Sequence, residues 1–267
     1  MATPALPSAL SQIDVIRDRA SRQQLIVFLD YDGTLTPIVD RPEEARLSGA
    51  MRADLTALAR LIPVAIVSGR DLADVQRHVA LDGLYYAGSH GFEIAGPDQF
   101  HDLYAPANAF LADLDRAEAQ LRQQLATLSG TQVERKQFAI AVHYRRATKP
   151  DIEIIDAIVN ATQEATPSLR RTGGKKVFEL RPDLEWHKGA ALFWLIDVMG
   201  YNPGDVMPVY IGDDVTDEDA FAAVDATGWG ILVAKDPRPT QARWGLAHPG
   251  EVQAFLSTLA VMPRNQS

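Results

Sequence analysis

The chain contains no cysteine, which excludes a disulfide framework, a thiolate metal site and a cysteine nucleophile. No apolar run approaches the ~20 residues that a membrane-spanning helix needs. The first residues, "MATPALPSALSQIDVIRDRASRQQ", lack a basic start followed by an apolar core, so no secretory signal is visible. Basic residues are in deficit, with 26 Lys and Arg against 35 Asp and Glu and a formal net charge of −9. That balance argues against a general nucleic-acid binder and says nothing about fold. Internal repeats and low-complexity stretches are also missing. What remains is a 267-residue chain, 46% hydrophobic, long enough for one large domain or two smaller ones. A cytoplasmic monomer is the expectation, with neither nucleic acid nor membrane as partner.

Short apolar runs alternate with helical patterns at both ends of the chain. "LIVFLD" (25–30) and "PVAIVSG" (63–69) are short, β-branched and without alternation, as buried parallel strands are. Between them, 48–61 opens on Ser48, a plausible N-cap, with Met51, Leu55, Leu58 and Ala59 at helical spacing. The pattern predicts a helix over 70–80 and a strand over 84–91 ending in a glycine loop. It then predicts a helix over 189–200, stopped by Gly200 and Pro203, a strand over 206–214, a helix over 217–224 and a final strand over 228–234. Such alternation predicts an α/β fold, a doubly wound and mainly parallel Rossmann-like sheet with helices on both faces.

The middle departs from this pattern. A long amphipathic helix is expected over 108–128, two strands over 131–147 with a loose turn near Lys136–Gln137, a helix over 151–166, and one strand over 173–182 begun by glycines. Helix, hairpin, helix, strand suggests an inserted α+β cap domain, residues 105–186, in a core made of residues 1–104 and 187–267. The charge follows the same division. Residues 105–186 carry 12 Lys and Arg and 11 Asp and Glu, whereas the remainder carries 14 and 24. An acidic, metal-holding part facing a part that receives an anion would look like this, although a few surface side chains could also produce it.

Ligands of open α/β sheets sit beyond the carboxyl ends of the strands. Four polar groups fall there: Asp30 and Asp32 in "DYDGTL", Ser68 in "SGR", Asp213 and Asp214 in "YIGDDVTDEDAF", and Lys188 at the start of a helix. Each alone has an ordinary explanation as a helix cap, a turn or a solvated charge. Their order on strand ends that the fold would bring together favours a joint chemical role. In this respect the chain resembles the haloacid-dehalogenase-like phosphohydrolases, whose first motif is Asp-x-Asp-Gly-Thr. The resemblance implies Asp30 as nucleophile, Asp32 as general acid and base, and Ser68 and Lys188 at the phosphate. It implies Mg²⁺ held by Asp30, the Asp32 carbonyl and Asp213, with Asp214 adjacent and Asp217 a weaker candidate. Gly33 and Thr34 would turn the chain and offer polar groups to the phosphate.

Further motifs narrow the resemblance. "LDYDGTLTPI", "SGR", "GSHGFE", "ERKQFAIAVHYR", "GGKKVFELRP", "KG" and "YIGDDVTDEDAF" occur in the order found in trehalose-phosphatases, over roughly residues 26–222. That likeness implies hydrolysis of trehalose 6-phosphate, a small-molecule substrate. The alternatives are a phosphatase for another sugar phosphate, such as sucrose phosphate, or a non-catalytic sugar-phosphate sensor. Gly69, Arg70, His90, Glu93, Lys136, His143, Arg145, Lys176, Glu179 and Arg181 are of the types that hold sugar hydroxyls or phosphate. Glu179, an acid within a strand pattern, is the strongest of these, its ordinary alternative being a cross-strand partner for a nearby Lys or Arg. Phe92 stands where the family suggests a smaller residue, which leaves the packing of that loop open. His78, His101 and His248 lie outside every motif and read as structural or surface groups. A cap that opens and closes would admit and exclude water, with linkers near Ala105–Pro106 and Asp183–Glu185.

Overall fold

Residues 25–29 are apolar without a break and all buried, as a strand covered on both faces requires. The computed structural model describes residues 5–39, 41–174 and 176–261. Helix α1 (Ile13–Ala20) leads into strand β1 (Gln24–Leu29), followed by α2 (Gly49–Ala59), β2 (Val64–Val67), α3 (Leu72–Val79) and β3 (Tyr85–Gly88). Two short strands come next, β4 (Glu93–Ala95) and β5 (His101–Leu103). Then follow α4 (Leu111–Leu125), β6 (Gln132–Arg135), β7 (Ile140–His143), α5 (Lys149–Ala165), β8 (Leu169–Gly174) and β9 (Val177–Pro182). The last elements are α6 (Lys188–Val198), β10 (Val206–Gly212), α7 (Glu218–Val224), β11 (Trp229–Val233), β12 (Trp244–Leu246) and α8 (Pro249–Ala260). No helix among the described residues is long and apolar enough to cross a membrane.

The chain divides into two compact units, one running to Asp102 and resuming at Trp186, the other Leu103–Glu185. The first holds an eight-stranded sheet in the order β12-β11-β10-β1-β2-β3-β4-β5. The pairings from β12 through β3 are parallel, and β4 runs antiparallel to β3. Successive side chains of β1 point to opposite faces. Leu25, Val27 and Leu29 pack with Met51, Leu55 and Leu58 of α2 and Phe255 of α8. Ile26 and Phe28 pack with Leu192 and Leu195 of α6 and Phe221 of α7. Each fully buried side chain of this size contributes about 1.5–3 kcal/mol, so the sheet is fixed from both sides. Ser48 caps α2, its Oγ accepting the Met51 N–H at 3.0 Å.

The register sets up the site. Leu29 at the end of β1 pairs with Ile211 on one side and Ile66 on the other. The next residues of the three strands, Asp30, Gly212–Asp213 and Val67–Ser68, therefore leave the sheet side by side. β1 is also where the strand order reverses, between β10 and β2.

Three expectations need correction. The strand over 228–234 is not the last: β12 adds to its outer edge in parallel and α8 follows. β4 and β5 extend the opposite edge over residues 93–103, where the sequence pattern gives no strand. Residues 173–182 are not one strand. Gly173 and Gly174 close β8, the chain turns, and β9 pairs antiparallel with it. Lys176 lies in that turn with φ +68°, a left-handed backbone at a residue that gives no sign of it.

In the second unit the sheet order is β6-β7-β9-β8. Ile140 and Val142 of β7 and Leu180 of β9 pack with Leu114 and Leu121 of α4 and Ile155 and Val159 of α5. The alternate residues Glu134, Ala141, His143, Glu179 and Arg181 point to the other face, because side chains alternate along a strand.

Candidate active site

Asp30 follows β1 directly, and its N–H donates to the Ile211 carbonyl at 2.9 Å, an extension of the β1–β10 ladder. Its carboxylate is buried. A tight turn follows, closed by Gly33 N–H to Thr36 O at 2.8 Å and Leu35 N–H to Tyr31 O at 3.0 Å. Gly33 has φ +89°, and a Cβ there would lie 2.2 Å from Asp213 Oδ2. Only glycine permits both the turn and the approach of Asp213. Tyr31 points into the core, where its hydroxyl donates to the Ala45 carbonyl at 2.8 Å. Thr34 Oγ1 is buried and has no hydrogen-bond partner among the described residues.

Lys188 is the first residue of α6, and its buried Nζ lies 2.7 Å from Asp30 Oδ1 and 2.6 Å from Asp217 Oδ1. A cation at a helix N-terminus opposes the helix dipole, so the two carboxylates must hold it there. Burial works against its charge, but Asp217 and Asp30 outweigh that and keep the ammonium well above the usual lysine range. Asp217 also accepts the Tyr210 hydroxyl at 2.7 Å and the Asp214 N–H at 2.9 Å. A Cβ at Gly212 would lie 2.3 Å from Asp217 Cγ, so the glycine is what lets this carboxylate fold back under the strand tip.

One carboxylate oxygen each from Asp30, Asp213 and Asp217 lies within 4.8 Å of the others, a group able to hold a metal ion. Against three carboxylates the cluster holds one ammonium, so a divalent cation would bring it to neutrality. The protein alone leaves negative charge in excess. Burial pushes the Asp30 carboxyl well above its usual range, Asp217 and Asp213 push further, and Lys188 only partly offsets them. The donor set, carboxylate oxygens at a strand tip, suits a hard divalent cation. Asp214, expected beside the metal, instead accepts the Val215 N–H at 2.8 Å and caps the short turn 215–217.

Asp32 is half-buried and paired with Arg70, whose Nε reaches Oδ2 at 2.7 Å and whose Nη2 reaches Oδ1 at 2.8 Å. Ser68 is buried after β2, its Oγ accepting the Arg70 N–H at 3.2 Å. A Cβ on Gly69 would lie 2.8 Å from the His90 ring, so His90 packs directly on this loop. Ser89 and His90 have φ +51° and +58°, followed by Gly91 at +94°. This left-handed run costs on the order of 1–3 kcal/mol at each non-glycine. It is held by His90 N–H to Ser68 O at 2.9 Å and Ser89 Oγ to Asp71 Oδ1 at 2.9 Å. Phe92 is buried and stacks on Trp186 with ring centroids 6.1 Å apart, which settles how its loop packs. Glu93 is buried, and burial with Asp71 nearby raises its carboxyl. His248 caps α8 and His101 is largely exposed beside Glu93, as expected of structural and surface groups.

In the second unit, Lys136, just beyond β6, pairs through its Nζ with Glu179 Oε1 of β9 at 3.0 Å. His143 Nε2 lies 2.7 Å from Glu134 Oε2. Arg181 is half-buried and in register with Arg170, while Arg145 and Lys176 are exposed. Glu179, Arg181 and His143 share one sheet face.

Sequence reasoning missed Tyr210, Asp74 and the part played by His78. Arg70, Asp74 and His78 are spaced by four residues, and that helical spacing was the available signal. Nothing local marks Tyr210, since its partner Asp217 lies beyond the strand.

An open, mainly parallel sheet that gathers carboxylates and a lysine at its strand tips is the core of a haloacid-dehalogenase-like hydrolase. Within that class, a family model described as trehalose-phosphatase matches residues 28–249, and the chain belongs to this family. It is 42% identical over 264 residues to probable trehalose-phosphate phosphatase D of Arabidopsis thaliana, covering 95% of this chain and 72% of the relative. It is 43% identical over 266 residues to probable trehalose-phosphate phosphatase 4 of Oryza sativa subsp. japonica, covering 98% and 72%. The C-terminal domain of the C. albicans trehalose-6-phosphate phosphatase has the same fold, with a TM-score of 0.82 at 22% identity over 96% of this chain and 99% of that one.

Proposed function

We propose that this chain hydrolyses trehalose 6-phosphate to trehalose and phosphate through an aspartyl-phosphate on Asp30, with Mg²⁺ as its metal. The observation that carries the chemistry is the cluster at the tip of β1, where Asp30 meets Lys188 beside Asp213 and Asp217. The substrate rests on the family and on relatives alike over most of this chain.

Asp30 attacks phosphorus in line, the bond from phosphorus to the sugar O6 breaks, and Asp32 gives its proton to O6. In the second half, Asp32 takes a proton from the attacking water, whose oxygen bonds to phosphorus as the acyl-phosphate bond breaks and Asp30 is restored. Lys188 offsets the charge on Asp30 and on the phosphoryl oxygens. Ser68 and Thr34 offer hydroxyls to the phosphate, Thr34 having a buried oxygen with no hydrogen-bond partner among the described residues. Asp30, Asp213 and the Asp32 carbonyl would hold the metal, with Asp217 anchoring Lys188 behind them. Bound there, Mg²⁺ would screen the phosphate's charge and favour the anionic nucleophile.

The paired ammonium and carboxylate of Lys136 and Glu179 give a donor and an acceptor side by side, which sugar hydroxyls need. Residues 105–186 are read as the cap that recognises the disaccharide, with His143, Arg145, Lys176 and Arg181 as further contacts; His90 and Glu93 are read as contacts from the core.

The test is phosphate release from trehalose 6-phosphate, sucrose 6-phosphate, glucose 6-phosphate and p-nitrophenyl phosphate, with Mg²⁺ and with chelator. The expected result is strong preference for the first, lost on chelation. Even release across the panel would sink the substrate, and release that survives chelation would sink the metal. Glu179→Ala is expected to lower kcat/KM for trehalose 6-phosphate at least about tenfold more than for p-nitrophenyl phosphate. Equal losses would remove Glu179 from the sugar site.

A further inference from the structure

Arg70 has five N–H donors, and the protein engages all of them. Nε and Nη2 hold the two oxygens of Asp32 at 2.7 and 2.8 Å. Nη2 also donates to the Pro42 carbonyl at 2.7 Å. Nη1 donates to Asp74 Oδ2 at 2.8 Å and lies 3.4 Å from His78 Nε2. The last contact is a hydrogen bond only if Nε2 is unprotonated. His78 Nδ1 lies 2.8 Å from the Asp74 carbonyl oxygen, an acceptor only, so Nδ1 carries a proton, and in the neutral ring Nε2 is the acceptor. The guanidinium also lies over the Tyr31 ring, 5.3 Å from its centroid. No donor is left for a phosphate or a sugar, so the expectation that Arg70 contacts substrate does not suit this geometry.

A bidentate guanidinium uses one lone pair on each carboxylate oxygen and fixes the plane of the carboxylate. The remaining lone pair on each Asp32 oxygen points away from Arg70. The Asp32 side chain is 43% exposed where that of Arg70 is 10% exposed, so the open side of the pair is the side of Asp32. We infer that Arg70 is a positioning residue: it touches no substrate, and it holds the Asp32 carboxyl at the orientation from which the proton passes to the leaving sugar oxygen. The inference rests on the proposed role of Asp32. When the bond from phosphorus to O6 breaks, the proton moves from Asp32 to O6, and the carboxylate left behind keeps both hydrogen bonds to Arg70, oriented for the water that follows. Asp74, His78 and the Pro42 carbonyl hold the fork from behind.

The test uses the whole chain with Mg²⁺ and compares single-turnover release of two alcohols. Trehalose needs a proton to leave, whereas p-nitrophenol leaves as a stable phenolate. Arg70→Met is expected to slow trehalose release roughly 100-fold more than p-nitrophenol release, the scale of a misplaced catalytic group. KM should stay within a few fold, and Arg70→Met with Asp32→Asn should be no slower than Asp32→Asn alone. Arg70→Lys keeps the buried cation and loses the fork, and should show the same substrate-dependent loss if Arg70→Met does not fold. Equal slowing of both alcohols, a rise in KM with kcat kept, or additive losses in the double variant would each overturn the inference. Asp32→Asn alone separates the two levels. Equal loss on both substrates in that variant removes the acid role of Asp32 itself, whereas leaving-group dependence in Asp32→Asn but not in Arg70→Met removes only Arg70.

Discussion

Asp30→Asn is expected to abolish phosphate release, a loss on the order of 10⁴-fold or more, while the fold persists. An amide cannot displace a phosphoryl leaving group, but it is nearly the same size and can still accept a hydrogen bond from Lys188. The stability effect has a sign that can be worked out for the metal-free protein. The Asp30 carboxyl is raised above the ordinary 3.8, first by burial and then by Asp217 and Asp213. A carboxyl raised on folding favours the native state only below its unfolded value, and that contribution is lost as pH rises through the folded value. At neutral pH an ionised Asp30 therefore costs stability without metal, and asparagine, which cannot ionise, removes the cost. Metal-free Asp30→Asn should melt no lower than the parent at neutral pH, and added Mg²⁺ should raise its melting temperature less. Acid-quenched protein should carry trapped phosphate in the parent and none in the variant. Residual turnover with trapped phosphate would show that another residue is the nucleophile.

How much of this could be read from the sequence depends on how local each signal is. β1 and β10 were legible because strands buried on both faces are short unbroken apolar runs. β12 was not, because three residues, Trp244–Leu246, carry no period to detect. The expected strand over 173–182 runs through the end of β8 into β9 because the positive φ there falls on Lys176, a residue that gives no sign of a turn. In the site, the gathering of Asp30, Lys188 and Asp213 follows from strand order once the fold is known. The choice among the carboxylates of "GDDVTDE" does not. That stretch holds four, Asp213, Asp214, Asp217 and Glu218, and the resemblance ranks Asp217 below Asp213 and Asp214, yet Asp217 turns inward because Gly212 leaves room for it while Asp214 is used as a cap. The Arg70–Asp32 pair joins residues 38 apart, and no local pattern announces it. Side chains whose partners arrive from other strands are where sequence reading stops.

Lys188→Met should be the most damaging change to stability and activity together. The side chains are similar in length, so packing is largely kept and the loss is electrostatic. The variant would leave Asp30 and Asp217 facing each other in a buried site that their shared cation had occupied. Breaking a buried ion pair from one side costs about 3–5 kcal/mol. Loss of the positive charge beside the phosphoryl group should lower kcat by about 10³-fold or more. The pH dependence separates this account from simple misfolding. Lys188 is held above the ordinary lysine value of 10.5, so the stability it contributes is complete below that value and is lost only as pH rises through the still higher folded value. The parent should thus show no loss from this group between neutral and mildly alkaline pH. In the variant, the unpaired carboxylates are relieved as they take up protons, so its deficit against the parent should narrow as pH falls below neutral. Urea unfolding of both proteins without metal, at several pH values, reads this directly. A deficit under about 1 kcal/mol at neutral pH, the scale of an exposed pair, would mean that Lys188 does not hold this cluster together.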